Sequence, residues 1–192
     1  MIYDIEKFLL IYRQILAEFY FLNGHFNTKE KMMTVDYDAV FTSWRSDMAK
    51  KYRNVFIDMH WATNDRKITK NQIIMDVRHR NTYFFEVKYQ FGDILNPDFD
   101  DFLQYYKSIL DKFFELNDTF DYEIKNSASE YEKYFYEWKK GIKLKYQNMV
   151  FDILWSNNSG EIKDNPLYFN VVYRDTFLFQ IRYLFQKDIV LE

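Results

Sequence analysis

Two carboxylates and a lysine stand out as residues that could do chemistry: Asp76, Glu86 and Lys88. They fall in two stretches of alternating apolar and polar residues, which predict neighbouring β-strands joined by a short hairpin loop. In that hairpin Asp76 is expected directly opposite Glu86, and two like charges facing each other on a sheet are unfavourable. Something should offset the repulsion: the neighbouring Arg78 and Lys88, a metal ion, or a basic partner.

The order of these residues resembles the Asp…(Asp/Glu)-x-Lys pattern of the PD-(D/E)xK nucleases. The resemblance rests on Asp76 and on the triplet Glu86-Val87-Lys88, and it covers fewer than 20 residues. It implies a nuclease in which Asp76 and Glu86 hold Mg²⁺ while Lys88 assists the attacking water. The chain departs from the pattern because the Pro before the first Asp is missing and the spacing is short. The competing interpretation is a solvated sheet face with alternating charges.

The chain carries one sequence pattern twice. Shifted by 94 positions, residues from about 4 to 91 align with the second half without a gap, and about a third of the pairs are identical. A period this long exceeds that of solenoid repeats, so each copy should be a small domain, residues 1–94 and 95–192. A fused pair of like folds mimics a two-fold homodimer, so pseudo-two-fold packing is expected.

Each copy predicts two helices followed by three strands. Apolar residues recur first at spacings of three and four and then at every second position. In copy one the helices are expected over about 5–22 and 36–53, and the strands over about 55–61, 72–79 and 83–91. The predicted fold class is therefore α+β, a tandem ααβββ module with both helices on one face of a three-stranded antiparallel sheet. Trp44 and Trp138 lie on the apolar stripe of the second helix and are expected in the core.

Individual residues add predictions for the helix ends, the hairpin loops and the first strands. In copy two, Asn96-Pro97-Asp98 is a helix start signal, and the second helix is expected over about 130–147. The hairpin loops contain Asn81 and Asp175, which tolerate the left-handed conformation that such loops need. Asp58 and its counterpart Asp152 interrupt apolar strands. We expect them to bond a loop backbone or the hairpin arginine of their own copy.

The even positions of the three strands in copy one form what we call the open face. Its members are Phe56, Asp58, His60, Ile74, Asp76, Arg78, Phe84, Glu86, Lys88 and Gln90. Predicted partner-binding residues on it are Asp58, His60, Asp76, Arg78, Phe84, Glu86, Lys88 and Gln90. In copy two the equivalents of Asp76 and Glu86 are the neutral amides Asn170 and Gln180. A catalytic pair present in one copy only favours a binding role over a catalytic one.

Composition excludes several classes of protein. The 192 residues include 20 Phe, 17 Tyr and 4 Trp but no Cys, which rules out disulfides, thiolate zinc sites and a cysteine nucleophile. A net charge of −3 gives no general attraction to nucleic acid. No apolar run is long enough to span a membrane, and the N-terminus begins with acids rather than with the basic residues of a secretory signal. We expect a cytoplasmic protein without a cofactor or a metal.

These observations favour a non-catalytic protein-binding protein. The expected kind is an inhibitor of the immunity, antitoxin or phage counter-defence type, whose partner is another protein with a basic surface. The open face would mask that partner with its charged and aromatic side chains. Two alternatives stay open: a Mg²⁺-dependent nuclease that uses copy one alone, and a nucleic-acid-binding accessory protein.

Overall fold

A computed structural model describes residues 5–92 and 99–185. The chain divides into two compact units, and we call the unit described over 5–92 unit one and that described over 99–185 unit two. Each unit contains two α-helices followed by three β-strands. The predicted α+β class is therefore confirmed.

The elements of each unit follow in the same order. Unit one contains α1 (Ile5–His25), α2 (Thr34–Lys51), β1 (Val55–Trp61), β2 (Gln72–His79) and β3 (Tyr83–Gln90), with a 3₁₀ helix at Ile68–Lys70. Unit two contains α3 (Phe99–Thr119), α4 (Ala128–Lys143), β4 (Met149–Trp155), β5 (Leu167–Tyr173) and β6 (Phe177–Tyr183). Within each unit the middle strand pairs antiparallel with the strands before and after it.

The helices cover the odd-numbered face of each sheet. In unit one the Tyr12 hydroxyl on α1 donates to the carbonyl oxygen of Val77 on β2 at 2.7 Å. In unit two the ring of Phe113 on α3 stacks on that of Phe169 on β5, with centroids 4.1 Å apart. Large rings buried between helix and sheet supply much of the apolar area that a unit of this size needs. The even-numbered face is consequently the one that faces away from the helices.

A buried tyrosine joins the two helices of each unit. The Tyr37 hydroxyl on α2 donates to Oδ1 of Asn23 on α1 at 2.5 Å, and Tyr131 on α4 donates to Oδ1 of Asn117 on α3 at 2.6 Å. All four side chains are buried, and burial raises the pKa of both tyrosines well above the usual range. Each phenol therefore keeps its proton at neutral pH and donates a buried hydrogen bond that joins the two helices.

A buried asparagine anchors the loop between the first and second strands. Asn71 accepts from the backbone N–H of Thr63 and of Gln72, and it donates to the carbonyl oxygens of Thr63 and Asp65. Asn165 has the same role in unit two, where it bonds both the backbone N–H and the carbonyl oxygen of Asn157. The loop thus turns around one amide group that is fully satisfied.

The helix ends differ from the prediction. The first helix of unit one continues to His25, whereas α2 ends at Lys51 and α4 at Lys143, earlier than the predicted 53 and 147. In unit two the backbone N–H of Lys145 bonds Ile142 at 3.0 Å, which is the tighter spacing that ends an α-helix. The start signal Asn96-Pro97-Asp98 lies outside the described residues.

Two local predictions also need correction. Asp175 has the predicted left-handed backbone, but Asn81 does not. Arg80 adopts it in place of Asn81 with φ of 52°, and Arg174 adopts it in addition to Asp175 with φ of 48°. The backbone N–H of each arginine donates to the turn before the first strand, to Asn54 or Asn148. Trp44 and Trp138 are half-buried rather than fully buried. Their indole rings lie at the edge of the core, and smaller rings fill its centre.

Candidate functional site

Three carboxylates form one row across the sheet of unit one. The strand register places Asp58 on β1 opposite Asp76 on β2, and Asp76 opposite Glu86 on β3. The predicted opposition of Asp76 and Glu86 is confirmed. Side chains opposite each other on one face have Cβ atoms about 4.5–5.5 Å apart, so the three acids are immediate neighbours. We call these residues the acid row.

An aromatic row lies beside the acid row, about 7 Å along the strands. Phe56 on β1 is opposite Arg78 on β2, and Arg78 is opposite Phe84 on β3. The Arg78 guanidinium carbon lies 5.5 Å from the centre of the Phe84 ring, a cation–π contact. Phe56 is 72% exposed, which is unusual for a side chain of its size. This row gives the open face an apolar end.

A mixed row lies on the other side of the acid row. His60 on β1 is opposite Ile74 on β2, and Ile74 is opposite Lys88 on β3. Gln90 follows two residues later on β3, opposite Gln72. All eight residues predicted to bind a partner therefore lie on one face of unit one, because even positions of paired strands point the same way.

Burial perturbs the central member of the acid row. The pKa of the Asp76 carboxyl is raised, chiefly because burial penalises its charged form; the Asp58 carboxylate raises it further. His60 and Arg78 act in the opposite direction. One carboxyl oxygen of Asp76, Oδ1, is buried and has no hydrogen-bond partner in the described part of the chain. Its negative charge is thus poorly compensated, which favours binding of a cation.

Glu86 has a similar environment. Burial is the main cause that raises its pKa, and the neighbouring Asp76 carboxylate adds to the effect. Lys88 and His60 act in the opposite direction on this pKa but do not cancel the rise. The repulsion inferred from sequence is therefore only partly offset by these two neighbours.

The acids on the first strands bond to the second helix of their unit, and not to a loop backbone or to the hairpin arginine as expected from sequence. Asp58 accepts from Nη1 of Arg45 on α2 at 2.9 Å. Asp152 accepts from the Tyr136 hydroxyl at 3.1 Å and lies 3.7 Å from Nζ of Lys139 on α4. Arg45 therefore limits how much charge Asp58 contributes to the acid row.

Unit two has amides where unit one has the acids Asp76 and Glu86. Gln180 on β6 donates from Nε2 to Oδ1 of Asn170 on β5 at 2.8 Å, where unit one has the two acids. The rows on either side are largely apolar and consist of Val150, Val172 and Leu178 on one side and Leu154, Tyr168 and Arg182 on the other. The equivalent face of unit two is therefore closer to neutral and its central polar pair is satisfied.

The residues of the nuclease hypothesis also come together on the open face. Asp76 and Glu86 are opposite each other, and Lys88 points to the same side one row away. Over residues 5–92 and 99–185, however, no three acidic or histidine side chains are arranged to hold a metal ion. The geometry therefore supplies a carboxylate pair and a nearby ammonium group rather than a formed metal centre.

Three residues next to the predicted site were not predicted to act in it. Phe56 and Ile74 lie on the open face between residues that were predicted to bind a partner. Their even positions in the strands were enough to place them in the same site. Arg45 reaches the edge of that face from α2. No sequence signal indicates this contact, because it depends on how the helix packs beside the first strand.

No known protein family, curated protein or solved structure shows significant similarity to this chain. Among the described residues, none of the helices has both the length and the apolar character needed to cross a bilayer.

Proposed function

We propose that the protein is a non-catalytic binding protein that masks a basic partner protein with the open face of unit one. It would act as an inhibitor of the immunity, antitoxin or phage counter-defence type in the cytoplasm. The observation that carries the proposal is the acid row, in which Asp76 has a buried oxygen without a partner. A lysine or arginine of the partner would supply the missing donor and relieve the repulsion between Asp76 and Glu86.

The flanking rows suit the same role. An exposed aromatic ring beside a charged row is typical of the anchor residues that contribute most to protein interfaces. Phe56 and Phe84 would pack against the apolar stem of a basic side chain while its charged end reaches the acid row. A carboxylate row repels phosphate groups, so this face suits a basic protein better than a nucleic acid.

Charge-matched variants can test the proposal. The face variant is Asp76→Asn with Glu86→Gln, which copies the amide pair of unit two. The control variant is Glu115→Gln with Asp118→Asn, which removes the same charge from exposed positions of α3. Wild type and both variants are immobilised and exposed to lysate of the native host, and retained proteins are identified by mass spectrometry. Affinity for a retained protein is then measured at low and high salt.

We expect one basic protein to bind the wild type and the control variant but to bind the face variant at least about tenfold more weakly. The difference should shrink at high salt, because ions screen the same attraction. Equal affinity of the two variants would overturn the assignment to the open face. Cleavage of DNA or RNA with Mg²⁺ or Mn²⁺ by the wild type, lost in the face variant, would establish the nuclease alternative instead.

A further inference from the structure

A cavity of about 220 Å³ lies within unit two, where the loop after α4 leads into β4. Its walls include Tyr146, Met149 and Tyr173, whose side chains are almost completely buried. Two exposed apolar side chains line it as well: Tyr105 is 45% exposed and Leu144 is 81% exposed. The cavity thus combines three tyrosine rings with an apolar rim that is open to solvent.

Two cations without a carboxylate partner accompany these rings. Nζ of Lys145, which lines the cavity, lies 5.7 Å from the centre of the Tyr146 ring. The guanidinium carbon of Arg174 lies 5.1 Å from the centre of the Tyr173 ring. Neither side chain makes an ion pair in the part of the chain that the structure describes. The side-chain amides of Gln147 and Asn148 add exposed donors and acceptors.

The free charge of Lys145 is specific to unit two. At the position 94 residues earlier, Nζ of Lys51 is paired with Glu18 at 2.9 Å. The position equivalent to Glu18 is Lys112, so unit two has a second lysine where unit one has the acid that pairs with Lys51. A lysine without its counterion is available to an anion from outside.

The side chain beside the Tyr146 ring is smaller than the one at the same place in unit one. In unit one the Tyr52 hydroxyl bonds Oε1 of Gln14 at 3.1 Å. In unit two the smaller Ser108 bonds the Tyr146 hydroxyl at 2.7 Å, so less side-chain volume fills the space beside the ring. Two of the three tyrosines are also new, because residues 11 and 79 of unit one are Ile and His.

We propose that this cavity binds a small ligand consisting of one aromatic ring with an anionic group. The cavity volume limits the size of the ligand, because cavities of about 150 Å³ admit a benzene ring and drug-sized ligands occupy about 300 Å³ or more. The half-exposed ring of Tyr105 would pack against the ligand ring in an edge or offset contact, the accessible edges of Tyr146 and Tyr173 would form the base of the site, and Lys145 would pair with the anion. This site is separate from the open face and does not depend on the function proposed for that face.

Titrations followed by ¹H–¹⁵N NMR of the full chain test the proposal. The probes are indole-3-acetate for an aromatic carboxylate, adenosine monophosphate for a nucleotide, indole for a neutral ring and inorganic phosphate for a ringless anion. The variants are Lys145→Gln, which removes the charge and keeps the length, and Tyr105→Ala on the exposed rim. Lys51→Gln in unit one is the matched control.

We expect indole-3-acetate or adenosine monophosphate to shift the amides of residues 144–149. Lys145→Gln should weaken that binding about tenfold or more, since a charge-assisted bond is lost, and leave any binding of indole unchanged. Tyr105→Ala should weaken the binding of all three probes that contain a ring, and the control Lys51→Gln should leave their binding unchanged. The stronger of the two anionic probes identifies the ligand class. Absence of shifts at millimolar probe, shifts located elsewhere, or equal affinity of Lys145→Gln would overturn the proposal.

Discussion

Asp76 on β2 lies directly opposite Glu86 on β3, so that two carboxyl groups share one row of the sheet. The same row in unit two holds Asn170 and Gln180, joined by a side-chain hydrogen bond. Amides and carboxylates have nearly the same shape, but only the amide pair contains a donor. Unit one therefore lacks a side-chain hydrogen bond that unit two has. Two facing carboxylates are expected at such a position where the charge contributes to binding rather than to stability.

The double change Asp76→Asn with Glu86→Gln should stabilise unit one by about 0.5 kcal/mol at pH 7, because like charges are removed. The pKa values of both acids are raised in the fold, so their charges oppose folding only once pH rises above the ordinary carboxyl range. The gain should shrink as pH falls through about 4.3 and vanish below about 3.9, where both carboxyls are neutral in the folded and in the unfolded chain. Urea unfolding at pH 7 and at about pH 3 measures it.

The reverse change in unit two is the matched control for this prediction. Asn170→Asp with Gln180→Glu breaks the 2.8 Å bond and introduces two facing charges, so it should destabilise the protein at pH 7. A gain in unit one that is the same at every pH would contradict the electrostatic explanation.

Alternation of apolar residues predicted the sheets well. The strand predicted over 55–61 is β1. The register of the β2–β3 hairpin follows from its three-residue loop, because pairing odd positions with odd positions buries one face of the sheet. The burial of Trp44 was predicted less well, since a helix stripe does not tell which of its residues lies at the edge of the core. The pseudo-two-fold packing of the copies stays a prediction.

Replacing Asn71 with Asp should destabilise unit one by about 2 kcal/mol or more. The change keeps the shape of the side chain but removes the N–H₂ donors that bond the carbonyl oxygens of Thr63 and Asp65, both at 2.8 Å. Buried acceptors without donors cost about 1–3 kcal/mol each. Denaturant unfolding measures the loss. The same substitution at the exposed Asn64 of this loop should cost under about 0.5 kcal/mol.

Asn71 illustrates what the sequence does not reveal. An Asn in a polar loop is common, and only the folded backbone shows that four groups converge on this one. The contact between Arg45 and Asp58 is of the same kind, because it joins residues whose proximity depends on helix packing. The positions along each strand were predictable from period alone, whereas the partners supplied by other elements were not.

Asp152 lies in the middle of a strand whose outer side pairs with nothing in the described part of the chain. β4 ends the strand order of unit two and bonds only β5. On its even face Val150 and Leu154 are 63% and 61% exposed, so the strand would be a strong template for pairing with another chain. A charge in the centre of an edge strand prevents such pairing, and Lys139 and Tyr136 hold this one in place.

Replacing Asp152 with Val should therefore promote self-association of the protein. The change removes the charge between Val150 and Leu154 and produces a continuous apolar stripe on an edge strand. Sedimentation velocity over a range of concentrations should show dimers or larger species that the wild type lacks under the same conditions. The control is Asp111→Val at an exposed position of α3, which removes one acid away from the edge and should leave the sedimentation coefficient unchanged. If both variants sediment like the wild type, Asp152 does not protect the edge, and its bonds to Tyr136 and Lys139 serve only to hold α4 beside β4.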